Sequence, residues 1–201
     1  MRAILCFAAI ATSTVFLIAG HPAGAETRAS LAGQFLVASP SMGDPRFDRA
    51  VILMVRHDQN GALGIVINRP LGERPLAGLL ELFGEKGSSA AGQVRIFLGG
   101  PVQRELGFVI HSPEYHRSGT LDEDGRVAMT SSREILGDIA ANQGPKKSLI
   151  AFGYAGWAPR QLEGEMERRV WSIAPADEML IFDEDREKVW DIASSRRVQD
   201  L

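Results

Sequence analysis

The sequence predicts a single compact mixed α/β domain of the α+β kind, built on a mixed sheet, and three observations lead there. The first is size and balance. With 201 residues, 45% hydrophobic and 23% charged, the chain is average for a soluble globular protein and long enough to bury one core. The second is a hairpin signal: the apolar runs Ala50–Arg56 and Ala62–Asn68 flank His57-Asp58-Gln59-Asn60-Gly61. The third is that helical periodicities interrupt the strands, which argues against a doubly wound parallel sheet.

The elements follow in order. Gln34–Ala38 reads as a strand ended by Ser39-Pro40, with a turn-rich connection over Ser41–Arg49. Both hairpin strands are apolar at nearly every position, so the hairpin is expected to be covered on both faces. Pro75 opens a helix whose apolar residues Leu76, Leu79, Leu80 and Phe83 follow i, i+3, i+4, i+7, with Gly84 as its stop. Val94–Leu98 and Glu105–His111 are strands joined through Gly99-Gly100-Pro101, and Ser112–Asp124 is a long loop before the strand Arg126–Thr130. Ser131 and Glu134 have capping-box spacing ahead of a helix burying Ile135, Leu136, Ile139 and Ala140. Ser148–Tyr154 is a strand, Pro159 opens a helix to about Arg169, and Val170–Ala174 and Met179–Phe182 are short strands. A final helix starts at Asp183, buries Val189, Trp190 and Ile192, and ends in Arg196-Arg197, charges that suit the helix dipole.

The first twenty-five residues read as an export signal rather than as part of the fold. Met1-Arg2 is a short positive start, Ala3–Ala19 is uncharged and apolar, and Ala23-Gly24-Ala25 is an A-x-A cleavage pattern. Cleavage after Ala25 leaves residues 26–201 as the domain and places it in the periplasm or outside the cell. An uncleaved segment would instead tether it to the membrane, although a run of this length is short for a bilayer span. Removal takes one of 22 basic residues and none of 25 acidic ones, so the formal charge falls from −3 to −4. It also removes Cys6, the single cysteine, leaving no disulfide, thiol nucleophile or thiolate metal site.

Six segments, taken in order, resemble the YqgE/AlgH family. They are Gln34–Pro40 with Gly43-Asp44-Pro45-Arg46-Phe47, Gly61–Pro70, Gly99-Gly100-Pro101-Val102, and Gly107–His111. Gly153-Tyr154-Ala155-Gly156-Trp157 with Gln161-Leu162-Glu163 follows, and then Trp171 with Leu180–Phe182. The resemblance spans about Leu31 to Ala193, and it implies a partly barrel-like sheet wrapped by helices. It carries no established biochemical activity; some members bear the label of transcriptional regulator and are taken to be cytoplasmic. One departure is that Arg160 stands where the family has a glycine before Gln-Leu-Glu.

Candidate sites are few. Gly153, Tyr154, Gly156 and Trp157 leave a strand toward a helix, where N–H groups can face an anion beside Gln161. Asn68 and Arg69 end a buried strand, and Arg69 is a candidate anion clamp. Gly99-Gly100-Pro101 sits between two strands, which favours a tight turn over a phosphate cradle. His57, His111 and His116 lack the spacing of a helical zinc pair, so no metal and no cofactor are expected. No G-x-S-x-G elbow is present, and no catalytic residue is assigned.

Three functional classes remain. The preferred one is a non-enzymatic binding or regulatory module in the cell envelope, engaging a protein or a small anionic ligand. A DNA-binding regulator is opposed by negative charge, by the absence of a basic stripe and by export, so no nucleic-acid partner is expected. A hydrolase would need His111 assembled with Asn68 or Glu163.

Overall fold

The computed structural model describes residues 30–84, 90–122, 125–183 and 185–198; the expected export signal Met1–Ala25 and its expected cleavage site lie outside them. The chain opens with β1 (Gln34–Ala38), a 3-10 turn at Pro45–Phe47, and the hairpin β2 (Val51–Asp58) and β3 (Gly61–Val66). Asp58 pairs with Gly61 across the turn, and the Asp58 carboxylate accepts from the Asn60 N–H at 2.6 Å. There follow β4 (Pro70–Pro75), α1 (Leu76–Leu82), β5 (Gln93–Leu98) and β6 (Val102–His111). Next come β7 (Leu121–Asp122), β8 (Ala128–Thr130), α2 (Glu134–Ala140), β9 (Ser148–Trp157) and α3 (Gln161–Glu167). β10 (Trp171–Pro175), α4 (Glu178–Phe182) and α5 (Val189–Ser195) close the chain.

The strands form one curled, half-barrel sheet in the order β10-β1-β2-β3-β9-β6-β8-β7, with the β4–β5 pair attached at β9. β9 is the shared strand. Its first half pairs with β5 in parallel and with β6 antiparallel, while Ala155–Trp157 pairs with β3. β3 and β5 therefore lie end to end along the same flank of β9.

Alternation divides the hairpin between two cores. Val51, Leu53, Val55 and Ile65 enter a cluster that also takes Phe97, Phe108 and Leu149 from the other half, as a curled sheet requires. Leu180 and Ile181 of α4 and Val189 of α5 plug that cluster. Ile52, Met54, Ala62 and Val66 face the opposite way, against Trp157, Trp171 and Leu162 of α3. From Val51 to Val55 and along β3 the hairpin is thus covered on both faces, which is why those positions are apolar. A third cluster lies under α1 and α2, where Leu76, Leu79, Leu80, Ile135 and Leu136 pack on Ile96, Val109 and Ile150.

Several elements differ from the sequence expectation. Met179–Phe182 is helical, because the Asp177 side chain caps the Met179 N–H at 2.8 Å and starts a turn before the apolar run. The capping box at Ser131 does not form: α2 begins at Glu134 behind Arg133, with no side-chain cap, so Ser131 and Glu134 are out of phase with its first turn. The final helix begins at Val189 rather than Asp183. β4 forms at Pro70–Pro75, where no strand was expected, and β7 lies within the expected Ser112–Asp124 loop. Among the described residues no helix is long and apolar enough to cross a membrane.

Candidate functional site

At the corner expected to bind an anion, Gly153 is held by close backbone contacts, while Gly156 and Gln161 are exposed. At Gly153 (φ +76) β9 crosses the Gly99-Gly100 segment: a Cβ on Gly153 would lie 2.5 Å from the Gly100 carbonyl oxygen, and one on Gly99 2.3 Å from that of Gly153. The Gly99 N–H donates to the Phe152 carbonyl (2.8 Å), and its own carbonyl accepts from Val66 N–H (2.8 Å). This segment therefore bridges β3 and β9 where β5 stops. The glycines serve backbone approach.

Beyond the crossing, Tyr154 packs edge-on to Phe108, and Trp157 is buried edge-on to Trp171. Strand β9 runs on through Gly156 to Trp157, three residues past the expected end. Both indole N–H groups, of Trp157 and Trp171, donate to one oxygen of Glu165 at 2.8 Å, and Gln161 donates to the other at 2.9 Å. The Gln161 carbonyl oxygen accepts from the Ala158 N–H at 3.0 Å. Arg160 sits at φ 63, the left-handed conformation that glycine adopts freely.

Asn68 and Arg69 are elsewhere. Trp157 pairs with Ala62 near the start of β3, whereas Asn68 follows the end of β3 at Val66. Asn68 accepts from the Val51 N–H and donates to the Arg49 carbonyl, both at 2.9 Å, closing the connection into β2. Arg69 donates to the Asp48 carbonyl at 2.6 Å. Through these bonds Asn68 and Arg69 hold the β1–β2 connection rather than the Gly153–Gln161 corner.

His111 is fully buried, and its hydrogen bonds fix its tautomer. Nδ1 lies 2.9 Å from the Ser112 carbonyl, which only accepts, so Nδ1 carries the proton. Nε2 then accepts from the Thr130 hydroxyl (2.9 Å), which in turn receives the Thr120 hydroxyl proton (2.7 Å). Burial lowers the His111 pKa from its ordinary value, and so does the charge of His116; the Ser112 carbonyl and the charges of Glu114 and Asp122 oppose the shift. His57 is oriented by a different set: its Nδ1 accepts from the Leu31 N–H (3.1 Å), leaving Nε2 to donate to Glu163 (3.1 Å). Glu163 therefore partners His57, not His111, and neither His111 nor Glu163 reaches Asn68 through any of these bonds. The Ser30 hydroxyl bonds the His57 carbonyl rather than its ring (3.0 Å), so no nucleophile–base pair forms there. Among the described residues no cluster of three His, Cys, Asp or Glu is placed to hold a metal ion.

The open concave surface is at the C-terminal end of α1. A cleft of about 590 Å³ runs between α1, β6 and α2, walled by Phe83, Leu106, Phe108 and Leu136, with Arg133 and Glu105 at its edge. A second, of about 400 Å³, lies on the other side of Leu82, between α1, β4 and β6. Leu79, Leu82, Ile96 and Phe152 form its floor, and Arg74 and Arg104 its polar rim. Leu82 is 78% exposed, and Leu71 beside it is 49% exposed. Phe83 and Phe152 stack at 6.3 Å between the two clefts. The sequence reading missed this region because its residues come from many separate elements, five of them in the smaller cleft alone. One signal was present: Leu82 lies off the Leu76, Leu79, Leu80, Phe83 stripe, so the helix carries a large apolar residue that its core face does not use.

Comparison with known proteins places the chain. It matches the AlgH-like family over residues 35–200. A UPF0301 protein of Cereibacter sphaeroides is 42% identical over 161 residues, covering 80% of this chain and 88% of that protein. One from Methylococcus capsulatus is 43% identical over 168 residues, covering 84% and 92%. The solution structure of the AlgH protein from Pseudomonas aeruginosa superposes with a TM-score of 0.72 at 42% identity, covering 82% of this chain and 87% of that one. The crystal structure of a Corynebacterium diphtheriae protein shares the fold at a TM-score of 0.62 and 22% identity. On the match across the domain and the identity of these relatives, the chain belongs to the YqgE/AlgH family.

Proposed function

We propose that this protein is a non-enzymatic binding module that acts in the cell envelope and takes its ligand at the clefts flanking Leu82. The observation that carries this reading is a separation of chemistry from concavity. His57, Glu163 and Glu165 are engaged in bonds that hold the fold together, whereas the clefts present apolar side chains and arginines. The envelope assignment rests on the positive start, apolar run and A-x-A pattern of Met1–Ala25. The Gly153–Gln161 corner and the Asn68–Arg69 pair are the competing locations for an anionic ligand, which at the corner would have to displace the Gln161–Glu165 bond.

A thermal-shift screen against nucleotides, metabolites and envelope extracts tests the reading, with a Leu82→Glu variant in parallel. A stabilising extract fraction whose effect disappears in the variant supports it. A flat response to every fraction contradicts it. Cell fractionation with N-terminal sequencing tests the compartment: a mature chain starting at Glu26 in the periplasmic or secreted fraction is expected, and an intact leader in the cytoplasm would overturn the assignment.

A further inference from the structure

We propose that the smaller cleft takes a single-chain amphiphilic carboxylate, with its hydrocarbon on Leu79, Leu82, Ile96 and Phe152 and its acid group on Arg74 and Arg104. The inference rests on the binding reading above and names the ligand class.

Charge points to an acid. The cleft is lined by two arginines and no carboxylate, in a protein whose formal net charge is −3. Among the described residues no carboxylate forms an ion pair with Arg74 or Arg104. The one bond from the Arg74 guanidinium is to the neighbouring Glu73 carbonyl at 2.9 Å, which leaves most of its donors open. Two unneutralised guanidiniums over an apolar floor give opposite ends of one ligand opposite environments, and the fork of each matches a carboxylate.

Gly78 points to an occupied space. It lies within α1, where glycine weakens a helix relative to alanine. It has no left-handed φ that would require glycine, and a Cβ built on it meets nothing within 4 Å. Neither backbone nor packing calls for a glycine there, yet it forms part of the cleft wall. A longer side chain would extend into the volume that the ligand fills. That volume, about 400 Å³, is within the roughly 300–1,000 Å³ of small-molecule sites. A concave site of this size admits one chain; a bilayer surface does not enter it.

Calorimetric titration of the protein with decanoate, 1-decanol and decyltrimethylammonium, all below their micellar concentrations, tests the proposal. Saturable one-to-one binding of decanoate is expected, with octanoate weaker by up to roughly tenfold for two fewer buried methylenes. The cationic amphiphile should bind at least tenfold more weakly. Arg74→Gln and Arg104→Gln should each weaken decanoate three- to tenfold. Gly78→Leu should abolish binding while far-UV dichroism stays unchanged, and Gly78→Ala should keep the fold and a measurable affinity. Equal binding of the acid and the cation, undiminished binding by folded Gly78→Leu, or binding only to phosphatidylglycerol vesicles would each overturn it. If decanoate fails but an envelope extract still stabilises the wild type and not Leu82→Glu, the ligand class falls and the binding reading stands. If both fail, both fall.

Discussion

A side-chain carbon on Gly153 would lie 2.5 Å from the Gly100 carbonyl oxygen, whereas one on Gly78 would meet nothing within 4 Å. The two glycines belong to regions built on opposite terms. Around Gly153 and Trp157 the backbones touch, two indoles and an amide share one carboxylate, and the aromatics are edge-packed. Around Gly78 and Leu82 apolar side chains face solvent and two arginines lack acids. In the first region close backbone approach and mutual hydrogen bonding account for Gly153 and the paired indoles. In the second, a glycine that neither backbone nor packing calls for and an off-stripe leucine mark the cleft proposed above.

The contrast is broken most severely at the crossing. Gly153→Ala should cost more than about 3 kcal/mol, combining a left-handed backbone with a backbone clash, as read by urea denaturation. Tolerance within about 1 kcal/mol would mean that the crossing is loose and the corner open after all. Next in size, Glu165→Ala strands two part-buried indole N–H groups and should cost about 2–3 kcal/mol. Trp fluorescence should report the loosened pair in the same titration.

His111 extends the comparison to a sealed polar chain. Its pKa is depressed in the folded state, so the unfolded chain binds the proton more readily. Stability from this group is intact above the ordinary histidine value of about 6.5 and is lost as pH falls below it, by at most about 1.4 kcal/mol per pH unit. Urea midpoints between pH 8 and pH 5 should slope accordingly, and His111→Gln should flatten the slope whatever its cost at neutral pH. An unchanged slope in that variant would assign the effect to another group.

The smallest effect is a gain. Arg160 holds a left-handed conformation at the start of α3, so Arg160→Gly should stabilise by about 1 kcal/mol. A loss instead would show that the side chain contributes more than its backbone strain costs.

Much of this architecture was legible in the chain. β1 follows from a short apolar run ended by Ser39-Pro40, the β2–β3 hairpin from two apolar runs around a turn-forming Asn-Gly, and α1 from one apolar stripe closed by Gly84. Where local pattern was silent or ambiguous, reading failed. All six residues of β4 are exposed and prolines bound it, so neither burial nor β-propensity marks it as a strand. Glu178–Phe182 is too short for period to separate helix from strand, and the Asp177 cap decides. The clefts escaped because their walls converge only through the sheet: Arg74 comes from β4, Gly78 from α1, Ile96 from β5, Arg104 from β6 and Phe152 from β9.

Backbone amide shift mapping by ¹⁵N NMR during a decanoate titration tests the central contrast most directly. The largest shifts should fall on Gly78, Leu82 and Arg104, with Gly156, Trp157 and Gln161 unmoved. Shifts concentrated at Gly156, Trp157 and Gln161, with α1 silent, would contradict the account and place the binding site at the corner.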